Sequence, residues 1–252
     1  MPHRHHSVLR LTALALTLAA APALAAKPAP APLAVPDRAI SVTLGSHDPH
    51  PAACEVGTLG PPNNAYGYVL PPDDKYATLL DPAHCGACAE GRFVLTVAHV
   101  QLFFTESCQI PVSVYVIPAY DQGGGCLAPQ WDAPALCQPA QYLVSDGGIL
   151  NECLDFGLTL PADCCVDRPV FLVFEFDQGT CQDFRPAFCG PANCADCTQY
   201  NLYPGNSPPG DDLCAYLAQF GLTGNVMYAE ADCCLATVNG HRSWGSVKTI
   251  YR

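Results

Sequence analysis

The chain has 252 residues, with 11 Lys and Arg against 23 Asp and Glu, a formal net charge of −12. Phosphate backbones and anionic lipid are repelled by such a chain, so nucleic acid and membrane surfaces are poor partners, while cations and neutral ligands stay open. Charged residues make up only 13% of it, beside 16 cysteines and 25 prolines, and in an exported chain so large and even a cysteine count means disulfides before it means metal or redox chemistry.

The first 25 residues read as a signal peptide. Arg4 and Arg10 stand among histidines with no acid, an apolar run follows, and Ala23-Leu24-Ala25 supplies the small-x-small pattern read by a signal peptidase. The run is shorter than the roughly 20 apolar residues a membrane span needs, and Pro22 breaks it, so cleavage is expected rather than an uncleaved anchor. Removal of Arg4 and Arg10 leaves nine basic residues against 23 acidic, a net −14. The mature chain is expected outside the cytoplasm: secreted or on the cell surface, with the periplasm as the alternative.

Residues 26–53 read as a Pro/Ala-rich spacer with room for a first strand at its end. Alternating prolines from Ala26 to Pro36 favour extended polyproline II, so folded structure is expected to begin between Ile40 and Cys54. Residues 54–234 then carry strand signals. Short candidates are Tyr66–Leu70 and Tyr76–Leu80. Arg92–Thr105 is long and rich in β-branched and aromatic residues, and Pro111–Tyr120 alternates with Val112, Val114 and Val116 on one face. Further candidates are Gln141–Ser145, Leu154–Leu160, Pro169–Asp177, Thr198–Tyr203 and Asn225–Ala231. In Pro169–Asp177, Val170, Leu172, Phe174 and Phe176 share the face expected to enter the core. Gly, Pro and Asp clusters punctuate these runs. The pattern predicts an all-β fold, an antiparallel two-sheet sandwich of the jelly-roll-like kind. One short helix is expected within Asp211–Phe220. A second, amphipathic one is expected in the 235–252 tail, over Ser243–Tyr251.

The sixteen cysteines are read as disulfide partners. They are Cys54, Cys85, Cys88, Cys108, Cys126, Cys137, Cys153, Cys164, Cys165, Cys181, Cys189, Cys194, Cys197, Cys214, Cys233 and Cys234. Two units echo each other: Pro82-Ala83-His84-Cys85-x-x-Cys88 resembles Pro191-Ala192-Asn193-Cys194-x-x-Cys197, and Ala162-Asp163-Cys164-Cys165 resembles Ala231-Asp232-Cys233-Cys234. Adjacent cysteines have Cα atoms about 3.8 Å apart, below the roughly 4.4–6.8 Å of a relaxed bridge, so each C-C pair should bond elsewhere. The C-x-x-C units are their natural partners by count, and Cys126 with Cys137 is expected to close the loop between them. A zinc site would want two C-x-x-C pairs together, and a redox site a thioredoxin-like βαβ setting; neither pattern is present.

Phe93–Val100 reads F-V-L-T-V-A-H-V and resembles the stretch around the catalytic histidine of trypsin-like serine proteases, which would make His99 a general base. The G-D-S-G-G-P nucleophile loop of that family is missing. Its nearest echo, Ser145-Asp146-Gly147-Gly148, has Ser and Asp reversed and lies only 46 residues after His99. A histidine on a β-face is the plainer reading, so a secreted hydrolase working through His99 or through carboxylates is the lesser alternative. G-x-S-x-G, H-E-x-x-H and P-loop motifs are absent. Paired acids, Glu175 with Asp177 and Asp73 with Asp74, have a spacing usable by a glycosidase or a calcium site, but solvated acids are commoner on an acidic chain, and no cofactor or metal is called for.

From Cys54 onward the order of features resembles uncharacterised secreted bacterial β-sandwich (jelly-roll-like) proteins with Cys-rich loops. The resemblance is carried by V-F-L-V-F-E-F at Val170–Phe176, C-T-x-Y-N at Cys197–Asn201, Asp211-Asp212-Leu213, G-N-V-x-x-A-x-A-x-C at Gly224–Cys233 and the tail W-G-x-V-K-x-I-Y-R ending at Arg252. It implies a single sandwich with a long central hairpin, here Phe93–Phe104 with Val112–Ile117, and implies no activity. The function expected is a non-catalytic module that binds glycan or protein, or that serves in assembly. Tyr120, Trp131, Tyr142, Tyr200 and Tyr203 are the candidate ligand-stacking residues. Intact-mass measurement and N-terminal sequencing of the exported protein are expected to place the mature start at Ala26.

Overall fold

The computed structural model describes residues 29–33, 39–44, 52–68, 73–88, 91–161, 165–181 and 185–234. The amphipathic helix expected over 243–251 lies outside them. The strands are, in chain order, β1 (Ala31–Leu33), β2 (Ala39–Leu44), β3 (Cys54–Thr58), β4 (Asn64–Tyr68), β5 (Asp74–Leu80), β6 (Phe93–Phe103), β7 (Gln109–Gly123) and β8 (Cys126–Pro129). They continue with β9 (Ala140–Ser145), β10 (Cys153–Thr159), β11 (Cys165–Val166), β12 (Val170–Phe176), β13 (Arg185–Gly190), β14 (Gln199–Leu202), β15 (Asp211–Asp212) and β16 (Met227–Cys233). A 3-10 turn at Pro82–His84 precedes β6. One helix, α1 (Leu213–Ala218), falls inside the expected Asp211–Phe220 window, with the Asp212 carboxylate capping the Ala215 N–H at 3.2 Å.

The strands form two sheets. The nine-stranded sheet runs β1-β4-β13-β6-β10-β2, with β16 and β11 also on β6 and β3 on β16. The seven-stranded sheet runs β15-β14-β5-β12-β7-β8, with β9 on β7. Pairing is antiparallel throughout except for β2 on β10, which is parallel. The all-β two-sheet reading therefore holds.

The central hairpin does not. β6 and β7 are consecutive but lie in different sheets, and they share no ladder among the described residues. The short link after Phe103 crosses the sandwich, and Cys108, at its end, is bonded to Cys181 just beyond β12. β7 therefore finds its neighbour in β12, with Val114 opposite Phe174. The Pro/Ala segment differs from expectation as well. Ala31–Leu33 pairs with β4 rather than standing free, because Leu33 packs on Ala65, Phe103 and Cys189, and an edge strand tolerates prolines.

The main core fills the space between the sheets. Leu95, Ala98, Val100 and Leu102 of β6 and Leu154, Phe156 and Leu158 of β10 face Val112, Val114 and Val116 of β7 and Leu172, Phe174 and Phe176 of β12. The faces proposed for β7 and β12 are thus the inner ones. β12 is buried on both sides, since Phe171 and Val173 pack outward beneath Trp131 and Leu127. A polar rivet joins the two sheets at one end. The Asn225 N–H donates to Gln199 Oε1 at 2.7 Å, Gln199 Nε2 donates back to the Asn225 carbonyl, and the Tyr66 hydroxyl reaches Asn225 Oδ1. Gly224 permits this, because a Cβ there would lie 2.2 Å from Gln199 Oε1 and 2.3 Å from Cys194 Sγ.

Seven bridges are described: Cys54–Cys85, Cys88–Cys233, Cys108–Cys181, Cys126–Cys197, Cys153–Cys189, Cys165–Cys234 and Cys194–Cys214. The adjacent residues Cys233 and Cys234 do bond elsewhere, as the spacing demands. The proposed traffic between C-x-x-C and C-C units is corrected, for only Cys88–Cys233 follows it. Cys85 takes Cys54, Cys194 takes Cys214, and Cys165 and Cys234 link the two C-C units to each other. Cys126 does not close a loop with Cys137; it reaches Cys197 and ties the β7–β8 turn to the start of β14. Cys137 is bonded too. Such a set belongs to a chain that folds in an oxidising compartment. Truncating Phe174, fully buried between β5 and β7, to Ala is expected to cost about 3–5 kcal/mol in denaturant unfolding with all bridges oxidised.

Candidate functional site

Among the described residues, two places gather the side chains singled out above. The first is on the outer face of the nine-stranded sheet and is made by a β-bulge. The ladder between β6 and β16 shifts register between Glu230 and Ala231, which leaves Thr96 as the extra residue, its hydroxyl donating to the Glu230 carbonyl at 3.2 Å. The bulge inverts the alternation. Phe93 and Leu95 point into the core before it, and Ala98, Val100 and Leu102 do so after it. His99, which simple alternation places in line with Phe93 and Leu95, is thereby turned to the outer face.

There the imidazole bridges two carboxylates. Nδ1 lies 3.2 Å from Asp155 Oδ1 on β10 and Nε2 lies 3.1 Å from Glu230 Oε1 on β16. The ring stacks on Tyr228 at 4.3 Å and 9°, and the Tyr228 hydroxyl donates to Asp155 Oδ2 at 2.9 Å. Gly157, opposite His99 on β10, leaves the ring its room: a Cβ there would sit 3.1 Å from His99 Cε1. Burial alone would lower the His99 pKa, but the hydrogen bond and charge of Asp155, helped by Glu230, outweigh it and raise the pKa above 6.5. Tyr228 is pushed well above the ordinary phenol range by burial and by Asp155.

This arrangement is a clamp rather than a charge-relay system. A general base needs one ring nitrogen directed at the reacting group, and here both are held by carboxylates. No Ser or Cys stands among the hydrogen-bond partners described for His99. The Ser145-Asp146-Gly147-Gly148 string is a turn: Asp146 accepts from Ser107 Oγ at 3.1 Å, from the Cys108 N–H at 3.2 Å and from the Gly148 N–H at 2.8 Å. Burial would raise the pKa of that carboxyl, but these donors hold it below its usual value. Of the paired acids, Glu175 is engaged by Lys75 at 3.0 Å and by the Tyr115 hydroxyl at 2.9 Å, and Asp74 is buried, its Oδ1 accepting from Asn201 at 2.8 Å.

The second place is a ledge on the outer face of the seven-stranded sheet. Three of the five proposed aromatic residues meet there. Trp131 packs over the patch of Ile117, Phe171 and Tyr200 and donates its Nε1–H to the Pro209 carbonyl at 2.9 Å. Tyr200 is buried, with its hydroxyl 3.3 Å from Gln122 Oε1; burial and the nearby Asp212 and Tyr120 push its pKa up to about 12. Tyr120 is 38% exposed and forms the open rim. The Cys126–Cys197 bridge ties the turn before β8 to the start of β14, the strand that carries Tyr200. The other two residues stand apart. Tyr142, on β9, packs against the main core and its hydroxyl reaches the Thr159 carbonyl. Tyr203 lies close to Asp211 and Asp74. Sequence reasoning missed Gln122, and it missed the carboxylate partners of His99, which come from strands 56 and 131 residues away.

A cleft of about 310 Å³ separates the two echoing turns, with His84 and Asp81 on one wall and Asn193 and Cys194 on the other. Compared with protein-family models, curated proteins and solved structures, the chain matches none.

The clamp carries a pH signature. Because folding raises the His99 pKa, its contribution to stability is full below 6.5 and is lost as pH rises past the raised value. His99→Gln is expected to melt below the wild type at pH 5.5, by about 1 kcal/mol. The gap should narrow steadily toward pH 9 in a series of melting curves.

Proposed function

We propose that this chain is an exported, non-catalytic module that binds neutral glycan chains through the ledge of Tyr120, Trp131 and Gln122. The observation that carries the reading is the ledge itself: Trp131, its N–H held by Pro209, packs on the patch that contains Tyr200, and Tyr200 in turn lies near the exposed Tyr120 and against Gln122. Such rings offer apolar area at low entropic cost, and an adjacent amide supplies hydrogen bonds to hydroxyl groups. The acidic charge favours a neutral ligand over an anionic one.

Export rests on the signal-like first 25 residues and on the bridge set, which needs an oxidising compartment. Among the described residues no helix is long and apolar enough to cross a membrane. The hydrolase alternative loses its main support at His99, where both ring nitrogens are occupied by carboxylates. Glycan-array and insoluble-polysaccharide pull-down measurements are expected to show binding that falls at least tenfold in Tyr120→Ala and in Trp131→Ala, and that is unchanged in Tyr142→Phe. A wild-type protein that retains no glycan in either assay would refute the proposal.

A further inference from the structure

We propose that Cys54–Cys85 and Cys88–Cys233 form a thiol–disulfide relay, in which reduction of either bridge collapses both into a single Cys85–Cys88 bond. The two bridges touch. Cys85 Sγ lies 3.3 Å from Cys88 Sγ, and the Sγ atoms of Cys54, Cys85 and Cys88 all lie within 4.8 Å of one another. The backbone is already shaped for the exchange. The Cys88 N–H donates to the Cys85 carbonyl at 3.0 Å, closing a turn of the kind that brings its first and fourth Cα atoms within about 7 Å, at the edge of the range a disulfide spans.

Burial sets the direction. Cys85 and Cys88 are buried in the main core, whereas Cys54 and Cys233 are only partly buried at its margin, so an incoming thiolate meets the strand cysteines first. Attack by one thiolate of a dithiol on Cys54 forms a mixed disulfide and expels Cys85 as a thiolate. The Cys85 thiolate attacks Cys88 Sγ, forms the Cys85–Cys88 bond and expels the Cys233 thiolate, which takes a proton from water. The second thiol of the dithiol then attacks the mixed disulfide, forming the dithiol's own disulfide and releasing Cys54 as a thiol. Two electrons pass from the dithiol to the protein, and two bridges become one. Entry at Cys233 runs the same exchange in mirror order and ends at the same product.

The consequence is local. In the oxidised protein the turn after Pro82–His84 is stapled to the start of β3 and to the end of β16. In the product it is bonded only to itself, while the β3–β16 ladder keeps its own hydrogen bonds. His84, the residue before Cys85, forms part of one wall of the 310 Å³ cleft, so the relay loosens that wall at the cost of one dithiol equivalent.

The test is stepwise reduction of the full oxidised protein with dithiothreitol at pH 8, acid quench, maleimide labelling and peptide mass mapping, followed until Cys54 first takes label. The expected species carries label on Cys54 and Cys233 in equal amounts, with Cys85 and Cys88 unlabelled and joined within the single tryptic peptide that ends at Arg92. Cys54 and Cys85 labelled together while Cys88–Cys233 stays intact, or Cys88 and Cys233 labelled while Cys54–Cys85 stays intact, would overturn the relay. The oxidised Cys54→Ser/Cys233→Ser double variant supplies a second reading: no titratable thiol is expected, and two free thiols would count against the exchange.

Discussion

The bulge at Thr96 is the constraint on which the arrangement of the nine-stranded sheet depends. β6 is the strand that β10, β11, β13 and β16 all join. A regular strand of its length would send alternate residues to opposite faces from end to end. It would then have to bury either Phe93 and Leu95 or Ala98, Val100 and Leu102, but not both sets. One extra residue lets both enter the core, and the same half-turn carries His99 out to Asp155 and Glu230. The core and the clamp are thus two results of one local geometry.

The clamp and the bridges do related work at different ranges. His99 binds three adjacent strands across a sheet face, through groups only partly shielded from water. The bridges act where hydrogen-bonded ladders end. Cys165–Cys234 and Cys88–Cys233 gather the end of β16, and Cys108–Cys181 fastens the crossing between the sheets. Covalent closure thus holds the strand ends that the ladders leave open. Cross-links that span from 20 to 145 residues restrict the unfolded chain strongly.

The functional surfaces follow from what the two sheets do with their outer faces. Both outer faces are partly covered, and each carries a small apolar patch of its own. On the seven-stranded sheet the cover is the loop after β8, and Trp131 is at once part of that cover and part of the ledge. A residue that seals one patch therefore shapes the surface beside it. This explains why aromatic residues far apart in the chain, Tyr120 and Tyr200, come together there while Tyr142, on the edge strand β9, turns toward the main core.

The sequence by itself determined the fold class, most strand positions and the inward faces of β7 and β12, because alternation with period two is a local property of the chain. It also determined that adjacent cysteines must part, since that is a matter of covalent distance. Only the tertiary structure decided which strand lies beside which. β6 and β7 read as a hairpin because they are consecutive, yet pairing is a choice among all strands, made by the shape of the whole core. Disulfide connectivity failed for the same reason: equal counts of C-x-x-C and C-C units say nothing of where their sulfurs meet in space. The Thr96 bulge left no local signature either, since an inserted residue shows only against the partner strand it slips along, and so the side of the sheet that holds His99 was decided by β16.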